Sequence, residues 1–111
     1  MECVSSLESE FRARRPGSGR TGRAAVKIGG QLRAWRKLLG LTAEQVAQRA
    51  NVSRPALRRL ENGELGVTLE TLLNVARALG QLDRVVDAFD PYETELGRAR
   101  ADDHLPQRVR R

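Results

Sequence analysis

The 111 residues leave room for one domain, and with 40% apolar but only 4% aromatic residues, Leu, Val and Ala must fill its core. The 20 Lys+Arg against 14 Asp+Glu give a net charge of +6, which favours a polyanionic partner, either nucleic acid or an anionic membrane surface. One cysteine, Cys3, and one histidine, His104, exclude an internal disulfide and a cluster of zinc-type ligands, so neither metal nor cofactor is expected.

Apolar runs are only a few residues long, which argues against a membrane span. The opening "MECVSSLESEFRARR" has neither a charged leader nor a long apolar stretch, so no secretory signal is expected. A cytoplasmic, nucleoid-associated protein is the expectation. Cys3 is expected to be a free thiol on a tail.

In chain order, residues 1–27 hold "RARRPGSGRTGR", with six Lys/Arg against three Glu and too little apolar surface to offset chain entropy. They are expected to form a disordered basic arm, with a short helix possible through Val4, Leu7 and Phe11. Ile28, Leu32, Trp35 and Leu39 then share one face of a first helix, which Gly40 ends. "TAEQ" is a capping box that starts a second helix, with Thr42 as N-cap, Gln45 three residues on, and Val46, Ala47 and Ala50 inward. "ANV" is a tight turn, and Ser53 caps a third helix whose inward residues are Leu57 and Leu60. Pro55 falls in its first turn, where a missing N–H does no harm, and Gly63 breaks it.

Thr68 caps a fourth helix with Leu69, Leu72, Leu73, Ala76 and Leu79 on one face, up to Gly80. A fifth carries Leu82, Val85, Val86 and Phe89 before Pro91 stops it. No segment alternates as a strand does. The expected fold is all-α, five helices over residues 28–90, followed by a polar and basic tail over 91–111 in which Pro106 disfavours a long regular helix.

The second and third helices, joined by a turn of three to four residues, form a helix-turn-helix. If Leu57 and Leu60 face inward, Arg54, Pro55, Arg58, Arg59 and Asn62 face outward. From Ser53 to Leu60 there are three cations and no anion. Arginine chelates O6 and N7 of guanine in the major groove or pairs with phosphate, and a helix N-terminus favours an anion. A solvated face normally mixes signs, so this one is expected to grip DNA. Trp35 could stack on a base, but its place on the apolar stripe assigns it to the core.

The stretch "LRAWRKLLGLTAEQVAQRANVSRPALRRLENG" resembles the phage-repressor-type helix-turn-helix, the XRE or Cro/C1 family, over roughly residues 29–80. The resemblance implies that the third helix enters the major groove, with Ser53, Arg54, Pro55 and Arg59 at base edges or nearby phosphates and Arg58 and Asn62 nearer the backbone. It also implies an ion pair between Arg36 and Glu61 that fixes the first helix to the third. Ala43 stands where many relatives carry a phosphate-binding glutamine, which puts one backbone contact in doubt. Pro55 is expected chiefly to fix the helix start, with contact to a thymine methyl as the alternative.

Taken together, the expectation is a sequence-specific double-stranded DNA-binding regulator, in which Arg54 and Arg59 read bases while Thr42, Ser53, Arg58 and Asn62 anchor the backbone. Repression is the expected sign. Homodimers through Leu82, Val85, Val86 and Phe89 would read two half-sites; the alternative, compatible with the first, is that this apolar face of the fifth helix simply closes the core. The stretch "NGELGVTLETLLNVARALG" also resembles antitoxin-type relatives that hold a HipA-like kinase. A second partner, toxin or transcription machinery, is thus an alternative through the C-terminal tail, and a protein-interaction module that has lost DNA binding is another. Residues 12–27 are expected to touch DNA as an arm, with a plain solubilising linker as the alternative, whereas for the closing "RVRR" DNA, a protein partner and neither stand unranked. With one His and one Cys there is no convergent catalytic set, and no enzyme is expected.

Overall fold

The computed structural model describes residues 19–104. Six α-helices and one 3-10 turn make up the secondary structure among the described residues: α1 Arg20–Leu38, α2 Ala43–Ala50, α3 Arg54–Glu61, α4 Leu69–Ala78, α5 Leu82–Ala88, the turn Pro91–Glu93, and α6 Glu95–His104. The chain divides into two compact units, up to Leu79 and from Gly80 onwards. The all-α class is as expected, with no strand among the described residues.

In the first unit, capping fixes the helix starts. Thr42 Oγ1 accepts from the Gln45 N–H at 3.0 Å while Gln45 Oε1 accepts from the Thr42 N–H at 2.8 Å, so both donors of the capping box are satisfied. Ser53 Oγ accepts from the Ala56 N–H at 3.1 Å to start α3, and Thr68 Oγ1 accepts from the Thr71 N–H at 3.1 Å to start α4. The turn between α2 and α3 passes through Asn51, whose φ of 57° is the one positive value outside glycine among the described residues. Asparagine tolerates that left-handed conformation better than most residues.

The core joins Leu32 of α1, Val46, Ala47 and Ala50 of α2, Leu57 and Leu60 of α3, and Val75 and Leu79 of α4, with Trp35 packed against it. Trp35 therefore belongs with the core. Full burial of a side chain such as Leu57 contributes about 1.5–3 kcal/mol.

Three elements differ from the sequence reading. First, α1 starts at Arg20, eight residues before Ile28, so residues 20–27 are helix rather than arm. They carry no apolar period of their own; their contact with the rest of the unit includes the backbone of Val26, which a Cβ on Gly63 would meet at 2.5 Å. Second, Ile28 is 44% exposed and Gly29 is buried in its place. A Cβ on Gly29 would lie 2.5 Å from the Leu60 carbonyl oxygen, so the absent side chain lets α1 touch the backbone of α3. On α4 similarly, Leu69 is exposed and Val75 is fully buried.

The third difference lies in the second unit. The expected irregular tail contains α6, started by Thr94, whose Oγ1 accepts from the Gly97 N–H at 2.9 Å. Gly97 comes close to the Pro91 carbonyl, closer than any Cβ could, and Arg98 donates to the Tyr92 carbonyl. On α5, Leu82 and Val85 are half-buried, whereas Val86 is 64% and Phe89 86% exposed. Cys3, the helical spacing of Val4, Leu7 and Phe11, and the closing "RVRR" lie outside the described residues.

Candidate nucleic-acid interface

The outward face of α3 follows from what the helix buries. Leu57, Leu60 and Glu61 point inward, and Arg54, Pro55, Arg58, Arg59 and Asn62 are exposed, with Ser53 and Thr42 exposed at the two N-caps. Arg54, Arg58 and Arg59 make no ion pair to any described acidic residue, so their guanidinium donors remain available.

The N-terminus of α3 is more restricted than its sequence implies. Ser53 Oγ takes the Ala56 N–H, and Pro55 has none to offer. Of the three helical residues Arg54 to Ala56, only Arg54 keeps an open backbone donor for an anion. The hydroxyls of Thr42 and Ser53 accept from backbone and still hold a proton to donate. Between α2 and α3, Arg54 shares a shallow hollow with Glu44 and Gln48. Gln48 is an exposed polar residue beside the arginines that the sequence reading left out.

Beneath this face lies a charged clamp. Arg36 on α1 donates from Nε to Glu61 Oε2 at 2.8 Å and from Nη2 to Oε1 at 3.0 Å, a bidentate pair. It is nearly dry: the side chains are 14% exposed for Arg36 and 7% for Glu61. Hydrogen bonding to Glu61 pushes the Arg36 pKa up from its ordinary value, burial opposes it, and the carboxylate's charge adds to the rise. Glu61 thus has a structural task beside the outward face. A further arginine that sequence reasoning missed, Arg33, lies one turn earlier. Its Nε reaches Glu61 Oε1 at 3.4 Å, and its Nη2 donates to Asn62 Oδ1 at 3.0 Å. The signal available was its spacing, three residues before Arg36 on the same helix.

The exit of α3 is closed by backbone. The Gly63 N–H donates to the Leu60 carbonyl and the Glu64 N–H to the Arg59 carbonyl, each at 3.0 Å, with Gly63 at φ 80°. This pair of hydrogen bonds ends α3 sharply after Asn62 and keeps the amide of Asn62 at the edge of the arginine face.

Two short helices joined at a left-handed Asn51, the second presenting arginines without an ion pair to any described residue, define a DNA-binding class of module. Residues 32–84 match the helix-turn-helix family. An uncharacterized HTH-type transcriptional regulator of Methanothermobacter thermautotrophicus is 40% identical over 58 residues, covering 52% of this chain and 83% of that protein. No solved structure matches the chain significantly. The chain belongs to the helix-turn-helix family of DNA-binding transcription regulators. Among the described residues no helix is long and apolar enough to cross a membrane.

Proposed function

We propose that the protein is a sequence-specific repressor that binds double-stranded DNA as a homodimer, in the cytoplasm and on the chromosome. The observation that carries this reading is the cationic face of α3, which makes no ion pair to a described residue and is held rigid from behind by the Arg36–Glu61 pair. With α3 in the major groove, Arg54 and Arg59 contact base edges, where each bidentate arginine–guanine pair is worth about 1–3 kcal/mol of discrimination. Thr42, Ser53, Arg58 and Asn62 donate to phosphates and set the register. Pro55 fixes the start of the helix.

A monomer of this size covers one half-site, and a homodimer reads two. The exposed apolar side chains Val86 and Phe89, with Leu82 and Val85 beside them on α5, support that assembly. A dimer seated over a promoter obstructs polymerase.

Selection from a pool of random duplexes, with sequencing of the bound fraction, tests the reading. A palindromic motif with guanines in each half, spaced about one helical turn apart, is the expected result. Absence of any enriched motif contradicts it.

A further inference from the structure

The half of α1 that precedes the family-matched region raises a separate question. Across Arg20–Leu38 there are six Lys/Arg and no acidic residue. Arg33 and Arg36 are taken by Glu61; Arg20, Arg23, Lys27 and Lys37 are exposed and make no ion pair to a described residue. Arg20, Arg23 and Lys27 stand at i, i+3 and i+7, so they share one face of the helix over about 10 Å of its length. Lys37 lies apart from them, at the other end of α1.

This arrangement is locally unfavourable. Arg20 and Arg23 place positive charge in the first turn, against the helix dipole, and Gly19 supplies no side-chain cap. Arg23 and Lys27 repel each other at i, i+4. A face that served only for solubility would relieve this with glutamates. None is present in the helix.

The stripe also has a fixed position. Gly29 against Leu60 and Glu61, and Val26 against Gly63, hold α1 to the exit of α3. Arg23 and Lys27 stand within one helical turn of Val26, the residue that meets Gly63 just past Asn62. Residues 20–27 are helical, so they present their cations from one face of a helix and cannot thread a minor groove as an extended arm.

We infer that the basic stripe of α1, carried by Arg20, Arg23 and Lys27, is a second contact surface for the phosphates of the duplex flanking the half-site. The inference rests on the DNA-binding reading above and extends its footprint. Phosphate contacts of this kind add affinity and salt dependence and leave sequence preference unchanged.

The test uses the full chain with Arg20→Gln, Arg23→Gln and Lys27→Gln combined, against a charge-matched control carrying Arg77→Gln, Arg84→Gln and Arg100→Gln. Glutamine is a good helix former, and circular dichroism checks that the helix content is kept. Affinity is titrated against salt on two duplexes that share the selected site, one trimmed to it and one with about one helical turn added on each side. Wild type should bind the longer duplex more tightly and with a steeper salt dependence. The stripe variant should lose that advantage, its slope falling by about 0.9 for each phosphate contact removed per protomer, with the selected motif unchanged. The control should keep the advantage.

Equal slopes for wild type and the stripe variant on the longer duplex overturn the inference, as does an equal loss in the control. If wild type selects no motif, the proposed function fails by itself. The stripe is then judged on duplex of arbitrary sequence, where a slope lowered only in the stripe variant still supports it and an unchanged slope overturns it.

Discussion

Arg33 donates from Nη2 to Asn62 Oδ1 at 3.0 Å, and this bond decides what Asn62 can offer to DNA. With its carbonyl oxygen turned to the guanidinium, the amide presents its two N–H donors outward, the polarity that a phosphate needs. Asn62→Asp should keep the bond to Arg33, leave stability unchanged or slightly higher, and place an anion where the donors were. DNA affinity should fall about tenfold or more, since a hydrogen bond to a charged group is worth about 1.5–3 kcal/mol. Urea denaturation and a binding titration on one preparation separate the two effects.

The Arg36–Glu61 pair should behave differently from the Arg33 contact with the same carboxylate. Removing one partner of a buried pair leaves the other charge buried and alone, so Glu61→Ala should cost about 3–5 kcal/mol of stability. Arg33 is 40% exposed and screened by solvent, so Arg33→Ala should cost less than about 1 kcal/mol. Unfolding midpoints in urea for the two variants check the ordering, and similar losses would contradict the description of the clamp.

Gly29 and Gly30, adjacent on α1, should respond to alanine with opposite signs. Alanine at Gly30 meets nothing within 4 Å and improves helix propensity by up to about 1 kcal/mol. At Gly29 the new Cβ would come within 2.5 Å of the Leu60 carbonyl oxygen, and backbone cannot move aside as a side chain can. Overpacking of this kind costs about 1–3 kcal/mol, which exceeds the propensity gain. Thermal melts of the two single variants decide it.

These outcomes bear on how much of the molecule its sequence discloses. The caps at Thr42, Ser53 and Thr68 are legible because the side chain that stops the backbone is written in the chain. The inward positions Leu57 and Leu60 are legible for the same reason, since apolar period is itself a letter pattern. Gly29 is not: it makes the α1–α3 contact by having no side chain, and the apolar Ile28 beside it draws the assignment instead. The start of α1 is hidden too, because Gly19 gives no side-chain cap and residues 20–27 show no apolar repeat. Arg33 looks like one more solvated cation until the fold brings Glu61 and Asn62 beneath it, 28 and 29 residues away. In the second unit, the mixed charges that follow Thr94 mask its cap.

Phe89, 86% exposed, and Val86, 64% exposed, should mark the dimer surface. Replacing both by lysine should shift the protein from dimer to monomer at micromolar concentration, because like charges then face each other across a two-fold axis. Sedimentation velocity reads the state directly. Binding to a duplex with two half-sites should weaken more than binding to a single half-site. A dimer that persists in the variant would place the interface elsewhere.

Base reading by α3 is tested most directly by a cycle that pairs Arg59→Ala with 7-deazaguanine at the selected half-site. The modified base lacks the N7 acceptor that an arginine uses and leaves the phosphates untouched. The expected result is that the modified base weakens wild type about tenfold, the substitution weakens the natural site at least as much, and the modified base costs the Arg59→Ala variant nothing further. Equal losses from the modified base in both proteins would mean that Arg59 does not read guanine, and Arg54 would then have to pass the same cycle for α3 to remain the reader.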